Sequence, residues 1–479
     1  LAAARVRALS VDVIAARIDD RFRLLTGGDR TGLPRQRTLR ALIDWSYELL
    51  TPAEAALFRK VAVFAGGFTL EAAERAGGDD GEDADVVGTL THLVDKSLVE
   101  RDATGDRYRL LETVRQYARE RLDDAGEAAS QRTRHVAFYL EYAQRARPGL
   151  IGPQQAEWLA RLDAERENVL AAHAWSCEAD LAGCEGLQLV SALRRYWIFR
   201  GLLALGLTIT LEALACPSAQ EPTLIRCEAL LDAGQLGAYM GRYEQAQHHL
   251  EQCLAIARTL DDKVRISAVL QPLGLALLGR GEFASARRHL QEGLELAEEL
   301  GTPREIAGAL NALAQTARAE GDLATAEPLY ARVLGIARES SDVDIIAVSL
   351  LNLAMVAIVG KSTAAARDML VEVLRIVDES GLKPAALSLL EVSAGLAATC
   401  AQWTRAVRFF GVVEAQMAET GLHRDPADEA FLAPLIESAL AHLGAGGFAE
   451  ASAAGRALTY DQAIAELRAW LEQPQAVSN

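Results

Sequence analysis

The sequence predicts an all-α chain, most of it a solenoid of about six stacked helical hairpins, with a small helix-and-hairpin domain in front. Three observations carry this. Short motifs return every forty residues through the C-terminal half, apolar residues fall at helical spacing, and one N-terminal stretch switches to alternation and turn residues. The 479 residues are 50% hydrophobic and only 6% aromatic, a length beyond one compact core and a bias towards helix.

Residues 37–126 read as the small domain. Thr38 to Leu50 has helical periodicity, and Thr51 before Pro52 is an N-cap that opens a second helix. Gly66-Gly67 breaks that helix. Leu70 to Arg75 makes a short third helix and Asp85 to Asp95 a fourth. Ser97–Arg101 and Arg107–Leu111 flank a Thr104-Gly105-Asp106 turn, which predicts a β-hairpin. A helix from Glu112 to Leu122 closes the unit. Helices followed by a two-stranded wing is the winged-helix order. Acidic residues outnumber basic ones here, and the expected recognition helix, Asp85 to Lys96, carries one basic side chain. A reader of base edges needs Arg, Lys, Asn or Gln there, so packing and switching are expected rather than DNA reading. Residues 127–185 continue as a helical linker or first hairpin.

The repeats span 186–426. Gly241-Arg-Tyr-Glu-Gln-Ala246, Gly281-Glu-Phe-Ala-Ser-Ala286 and Gly321-Asp-Leu-Ala-Thr-Ala326 set the register, which extends to Lys361–Ala366, Ala401–Ala406 and back to Gly201–Gly206. Whole columns then align. Leu230, Leu270, Leu310, Leu350 and Leu390 form one; Gly234, Gly274, Ala314, Ala354 and Ala394 a second; Leu250, Leu290, Tyr330, Leu370 and Phe410 a third. Small residues let paired helices approach, and large ones fill the space between units. Residues 427–479, with Gly447-Phe-Ala-Glu-Ala451 slightly out of register, are expected to be capping helices and a polar tail.

These columns resemble the tetratricopeptide repeat, lengthened from its usual 34 residues to 40 by nearly a turn in each helix. Further likeness lies in Leu1-Ala-Ala-Ala-Arg-Val-Arg, Leu24-Leu-Thr-Gly-Gly, Leu33-Pro-Arg-Gln-Arg-Thr, Phe64-Ala-Gly-Gly-Phe and Tyr108-Arg-Leu-Leu-Glu-Thr-Val-Arg-Gln-Tyr-Ala. Together they resemble the STAND/NB-ARC class of bacterial signal-transducing ATPases, including LuxR-type regulators. The resemblance implies that a P-loop module precedes this chain, that residues 1–36 are a helical segment from its end, and that ATP or ADP belongs to that absent module. In some members a histidine at the position of Leu111 touches the nucleotide phosphate, and leucine cannot.

Net charge is −17, which disfavours nucleic acid as a default partner. Six scattered cysteines, with no C-x-x-C pair, read as core thiols in a reducing compartment. No apolar run reaches the roughly 18 residues of a membrane span, Leu202 to Leu214 being the nearest, so a cytoplasmic protein is expected. Gly360-Lys361-Ser362 imitates a P-loop, but Met355 stands where its first glycine is needed. His248, His249 and His289 have no carboxylate or cysteine to complete a metal set. No catalytic, cofactor or metal residue is assigned.

The concave face remains. In this register the outward positions of each first helix are Gln235, Gln271, Asn311, Gln315, Arg318, Asn352 and Glu391, interleaved with apolar residues. Such a strip is either a plain solvated face or a site for a peptide, a small-molecule effector or a folded partner. The expected function is the sensor and switch region of an ATPase-type transcriptional regulator, with the upstream module as a partner in cis and self-association as a further possibility. The alternatives are a free-standing interaction scaffold and a winged-helix DNA binder.

Overall fold

The computed structural model describes residues 34–78, 85–102, 105–151, 154–179, 185–380 and 383–472. The expected 1–36 segment (up to residue 33), Thr104, Cys184 and the polar tail from 473 lie outside the described residues. The chain divides into two compact units between Ala192 and Leu193.

In the first unit, α1 (Pro34–Glu48) precedes α2 (Pro52–Lys60). A capping box opens α2: Thr51 Oγ1 accepts from the Glu54 N–H, and Glu54 Oε2 accepts from the Thr51 N–H. Then come β1 (Phe68–Thr69), α3 (Leu70–Gly77), α4 (Val86–Asp95), β2 (Glu100–Arg101), β3 (Arg107–Arg109) and α5 (Glu112–Asp124). The sheet has three antiparallel strands in the order β1-β3-β2, one more than the expected hairpin. Two residues are too few to show alternation, which hid β1. Gly67 makes the pairing possible: at φ 112° its backbone comes so close to β3 that a Cβ would lie 2.9 Å from the Tyr108 carbonyl oxygen.

Two long helices, α6 (Ala128–Gly149) and α7 (Gln155–Glu178), pack against each other, and α8 (Glu185–Ala192) follows. They hold the winged domain through buried polar groups. Asn168 accepts from the Ala65 N–H and donates to the Gly67 carbonyl at 2.8 Å. Arg107 of the wing pairs with Glu165, which also accepts from the Tyr139 hydroxyl at 2.7 Å.

The second unit begins with α9 (Arg194–Phe199) and α10 (Leu203–Ala215). Five regular hairpins follow: α11 (Leu224–Tyr239) with α12 (Tyr243–Thr259), α13 (Lys263–Gly279) with α14 (Phe283–Leu300), α15 (Pro303–Ala319) with α16 (Leu323–Ser340), α17 (Val343–Val359) with α18 (Thr363–Ser380), and α19 (Lys383–Thr399) with α20 (Trp403–Thr420). From α13 on, helices of 17 and 18 residues alternate. The chain reverses through left-handed residues at 201, 241, 261, 281, 301, 321, 341, 361, 401 and 421. Lys361 therefore sits in an inter-helix turn, not in a strand-to-helix phosphate loop.

The aligned columns are the core. All five leucines from Leu230 to Leu390 are buried. At Gly234 and Gly274 an added Cβ would lie 2.4 Å from Leu250 and Leu290 of the partner helix. Cys227 and Cys253, far apart in sequence, meet across the first hairpin with sulfurs 3.2 Å apart.

The cap is α21 (Pro426–Arg456) and α22 (Tyr460–Leu471). Its break falls at Gly444, with φ 68° and ψ 169°, so the Gly447 motif lies within helix rather than at a turn. Among the described helices, α21 alone has the length and mean hydropathy to cross a bilayer, contrary to the sequence expectation. The break at Gly444 interrupts it.

Candidate functional site

The first helices of successive hairpins line the concave side of the second unit, because side chains four apart on a helix share a face and the forty-residue register repeats that face. Between α11, α13, α15 and α17 they enclose a cavity of about 740 Å³, within the size range of ligand pockets. Gln235, Gln271, Asn311 and Gln315 all line it, as the register predicts. Apolar wall comes from Leu231, Leu275, Ile345 and Val348, and two aromatic rings from Tyr239 and Tyr243.

The amides are not all engaged. Gln235 accepts from Arg194, which also pairs with Asp232 at 3.2 Å. Asn311 Oδ1 accepts from Asn352 Nδ2 at 2.9 Å. Gln315 Oε1 is buried with no hydrogen-bond partner, and so is the hydroxyl of Ser267, a lining residue only 4% exposed. Pro272 adds to this: lacking an N–H, it leaves the carbonyl of Ala268, another lining residue, without its usual helical donor. Native interiors seldom leave such groups unpaired.

Three of the seven predicted contact residues do not line the cavity. Asn352 is buried behind Asn311. Arg318 and Glu391 are claimed by a strap made of residues 421–425, which join α20 to α21, and the first turn of α21. Arg318 bonds the Ala427 carbonyl at 3.0 Å, the Tyr330 hydroxyl at 3.2 Å and the Asp428 carboxylate. Burial opposes its charge, and Asp428 and Tyr330 more than offset that, pushing its pKa up. Arg424 pairs with Glu391, with Glu414 at 2.8 Å and with Glu429 at 2.7 Å. The His423 N–H donates to the Tyr239 carbonyl at 2.7 Å, and its ring meets Tyr243 edge-on. His423 and Asp425 thereby become part of the cavity lining. Burial, then the neighbouring Asp428 charge, raises the Asp425 carboxyl to about 6. The periodicity of the helices gives no signal for these residues.

The histidines of the repeats turn elsewhere. His289 Nδ1 lies 2.9 Å from the Ser285 carbonyl of its own helix, and burial lowers the pKa of His249. In the first unit a cavity of about 660 Å³ is lined by Glu112, Glu120, Asp123 and Glu178 against Arg119 and Arg132, a solvated acidic rim rather than an anion seat. Lys96 at the end of α4 bonds Glu54 at 2.6 Å, Arg109 pairs with Glu100, and Arg107 with Glu165. Lys96, Arg107 and Arg109 thus have carboxylate partners, whereas Arg101 of β2 bonds the Gly105 carbonyl at 2.7 Å.

Residues 226–299 and 309–344 match the tetratricopeptide repeat. The hairpins are tetratricopeptide-like helical repeats. Residues 50–123 match the winged helix-turn-helix domain, so the chain joins a helix-turn-helix domain of regulator type to a tetratricopeptide superhelix. Both are folds that bind rather than catalyse. The chain is 41% identical over 283 residues to proteins of Mycobacterium bovis and Mycobacterium tuberculosis named as candidate HTH-type transcriptional regulators, covering 57% of this chain. It spans about a third (32%) of the length of these curated relatives. An uncharacterized Mycobacterium tuberculosis protein is 40% identical over 156 residues, 32% of this chain and 40% of that one. Among solved structures, it is similar to a signal transduction ATPase with numerous domains that carries a tetratricopeptide repeat sensor, from Pyrococcus horikoshii (13% identity, 98% of this chain and 74% of that one, TM-score 0.42). It is also similar to a Rap protein complexed with competence and sporulation factor (13% identity, 71% and 99%, TM-score 0.44).

Proposed function

We propose that this chain is the signal-receiving region of a larger, ATPase-type transcriptional regulator in the cytoplasm. The tetratricopeptide groove binds the effector, and the winged helix passes the signal to a nucleotide-binding module elsewhere in the protein. The observation that carries this is the cavity lined by Gln235, Gln271, Asn311 and Gln315 from three consecutive first helices. Differential affinity of the effector for two states of the protein is what shifts output. ATP and ADP belong to the other module, since Leu111, half exposed at the start of α5, has no polar atom in its side chain to offer a phosphate.

The test is a transcriptional reporter driven by the full-length regulator. Gln271→Leu with Gln315→Leu should change output in the presence of signal, while Arg332→Ala on the outer face should not. Equal behaviour of the two would end the effector reading. Direct DNA binding by the winged helix is not favoured, because the wing cations Arg107 and Arg109 and the α4-terminal Lys96 are paired. Salt-sensitive retardation of duplex DNA by the chain itself would reverse that.

A further inference from the structure

We propose that Cys227 and Cys253 are an oxidisable pair, a reversible disulfide site that staples the first regular hairpin of the superhelix under peroxide. The proposal stands apart from the reading of the cavity as an effector site, and neither depends on the other.

Spacing along the chain predicts isolated core thiols, but the hairpin brings two of them face to face. Cys227 lies in the first turn of α11, and Cys253 lies in α12. Their sulfurs are 3.2 Å apart, so about 1.1 Å of approach reaches the roughly 2.05 Å of an S–S bond. No other side chain stands between them: Cys227 Sγ also lies 3.5 Å from the Cys253 carbonyl oxygen, and Cys253 Sγ lies 3.1 Å from the Cys227 carbonyl oxygen. Packing alone does not call for two thiols at this level. The same positions in the next three hairpins hold Ser267 with Gly293, Ala307 with Val333, and Ala347 with Val373, all buried.

The donor set argues against a metal. Among the described residues no third His, Cys, Asp or Glu completes a ligand group, and tetrahedral zinc holds its sulfurs about 3.8 Å apart, wider than this pair. Two thiols alone are the substrate of a two-electron oxidation. Cys227 is the first nucleophile, because the hydrogen bond from Cys253, and then the Arg265 charge, lower its pKa, while the same hydrogen bond raises that of Cys253. The Cys227 sulfur attacks one oxygen of hydrogen peroxide, the O–O bond breaks, and the thiol proton leaves with the other oxygen as water. The sulfenic acid so formed is attacked by the Cys253 sulfur. The S–S bond forms, the S–OH bond breaks, and the hydroxyl departs with the Cys253 proton as a second water. Two thiols lose two electrons, and one peroxide is reduced to two waters.

Cys227 is 0% exposed and Cys253 1%. Peroxide has two heavy atoms and reaches them in a brief local opening, whereas bulky thiols and disulfides need a larger one. In a reducing compartment the pair rests as thiols, and disulfides formed there are usually transient or redox-sensing. The bond closes a loop between the two helices that carry Leu231, Gln235, Tyr239 and Tyr243 of the cavity wall, and so restrains that end of the superhelix.

The experiment uses the whole chain, reduced, freed of reductant and treated with hydrogen peroxide. Remaining thiols are alkylated in urea and the chain is digested with trypsin, which cuts after Arg242 and so separates the two cysteines. Mass spectrometry should find residues 227–242 joined to residues 243–258, about 2 Da lighter than the two reduced peptides together. The oxidised chain should melt about 5 °C higher, and dithiothreitol should abolish the gain. Cys253→Val, which places there the residue found at Val333, Val373 and Val413, should show no rise with peroxide. Cys227→Ala, matching Ala307 and Ala347, is a second variant with the same expectation. Recovery of Cys227 and Cys253 as alkylated thiols while the half-buried Cys177, Cys216 and Cys400 are consumed would overturn the proposal. So would a sulfinic acid at either residue in place of the cross-link, or an equal rise in melting temperature in both variants.

Discussion

In the first unit the wing arginine Arg107 enters the α6–α7 pair to meet Glu165, and Asn168 bonds both the Ala65 N–H and the Gly67 carbonyl. Among the residues that line the cavity of the second unit, Gln315 and Ser267 each keep a buried polar atom without a partner, as Gln116 and His135 do beside the cavity of the first. What differs is the cement: buried ion pairs and amides tie the wing to α7, whereas the repeats are held by their apolar columns.

The largest effect is expected at Glu165, which is 3% exposed. Glu165→Ala leaves Arg107 and the Tyr139 hydroxyl without their acceptor and should destabilise the first unit by about 3–5 kcal/mol. Urea unfolding followed by tryptophan fluorescence would measure it; a loss below about 1 kcal/mol would mean that the pair does not hold the wing. Next in size is Gly274→Val in the second unit. Its new side chain collides with Leu290, and overpacking of this kind costs about 1–3 kcal/mol. The same valine at Gly308, where the nearest atom to an added Cβ is 3.8 Å away on the Gln271 side chain, should be far milder, which the same titration would show.

These two sites differ in how visible they were. Gly274 belongs to a column that recurs every forty residues, and burial enforces that column, so the sequence displays it. The four lining amides were legible for the same reason: their register puts them on the open side of each first helix. Glu165 and Asn168 were not, because α7 has no repeat and their partners lie 58 and 103 residues away. The strap hid itself similarly. Arg318 and Asp428 are 110 residues apart, and no periodicity connects them, so Arg318 and Glu391 looked like open groove residues when they are the strap's anchors. Local periodicity reveals packing, whereas closure of a superhelix on itself depends on long-range pairs.

The strap also predicts a pH dependence confined to the second unit. Asp425 has a carboxyl raised to about 6, above its ordinary value of 3.8 in the unfolded chain. Between these values the folded state holds a proton that the unfolded state has released. Stability is therefore greatest below about pH 4 for this group and falls as pH rises towards 6, by at most about 1.4 kcal/mol per pH unit. Asp425→Asn, which can still cap α21, should reduce that slope and leave the part due to Glu391, whose carboxyl burial raises to about 7. An unchanged slope would show that Asp425 is not the titrating group.

The smallest effect should come from the outer face. Arg258–Glu292, Arg332–Glu298 and Arg338–Glu372 link successive second helices, each pair 34 residues apart, and they look like a ladder that staples the repeats. Their side chains, however, are about 40–50% exposed. Water already solvates both partners, salt screens them, and holding two long side chains in place costs entropy, so each pair contributes about 0–1 kcal/mol. Arg332→Ala should shift stability by less than about 0.5 kcal/mol, and raising the salt from 50 mM to 0.5 M should erase even that. A loss comparable to that of Glu165→Ala would mean that charge, rather than the alanine and leucine columns, sets the spacing of the superhelix.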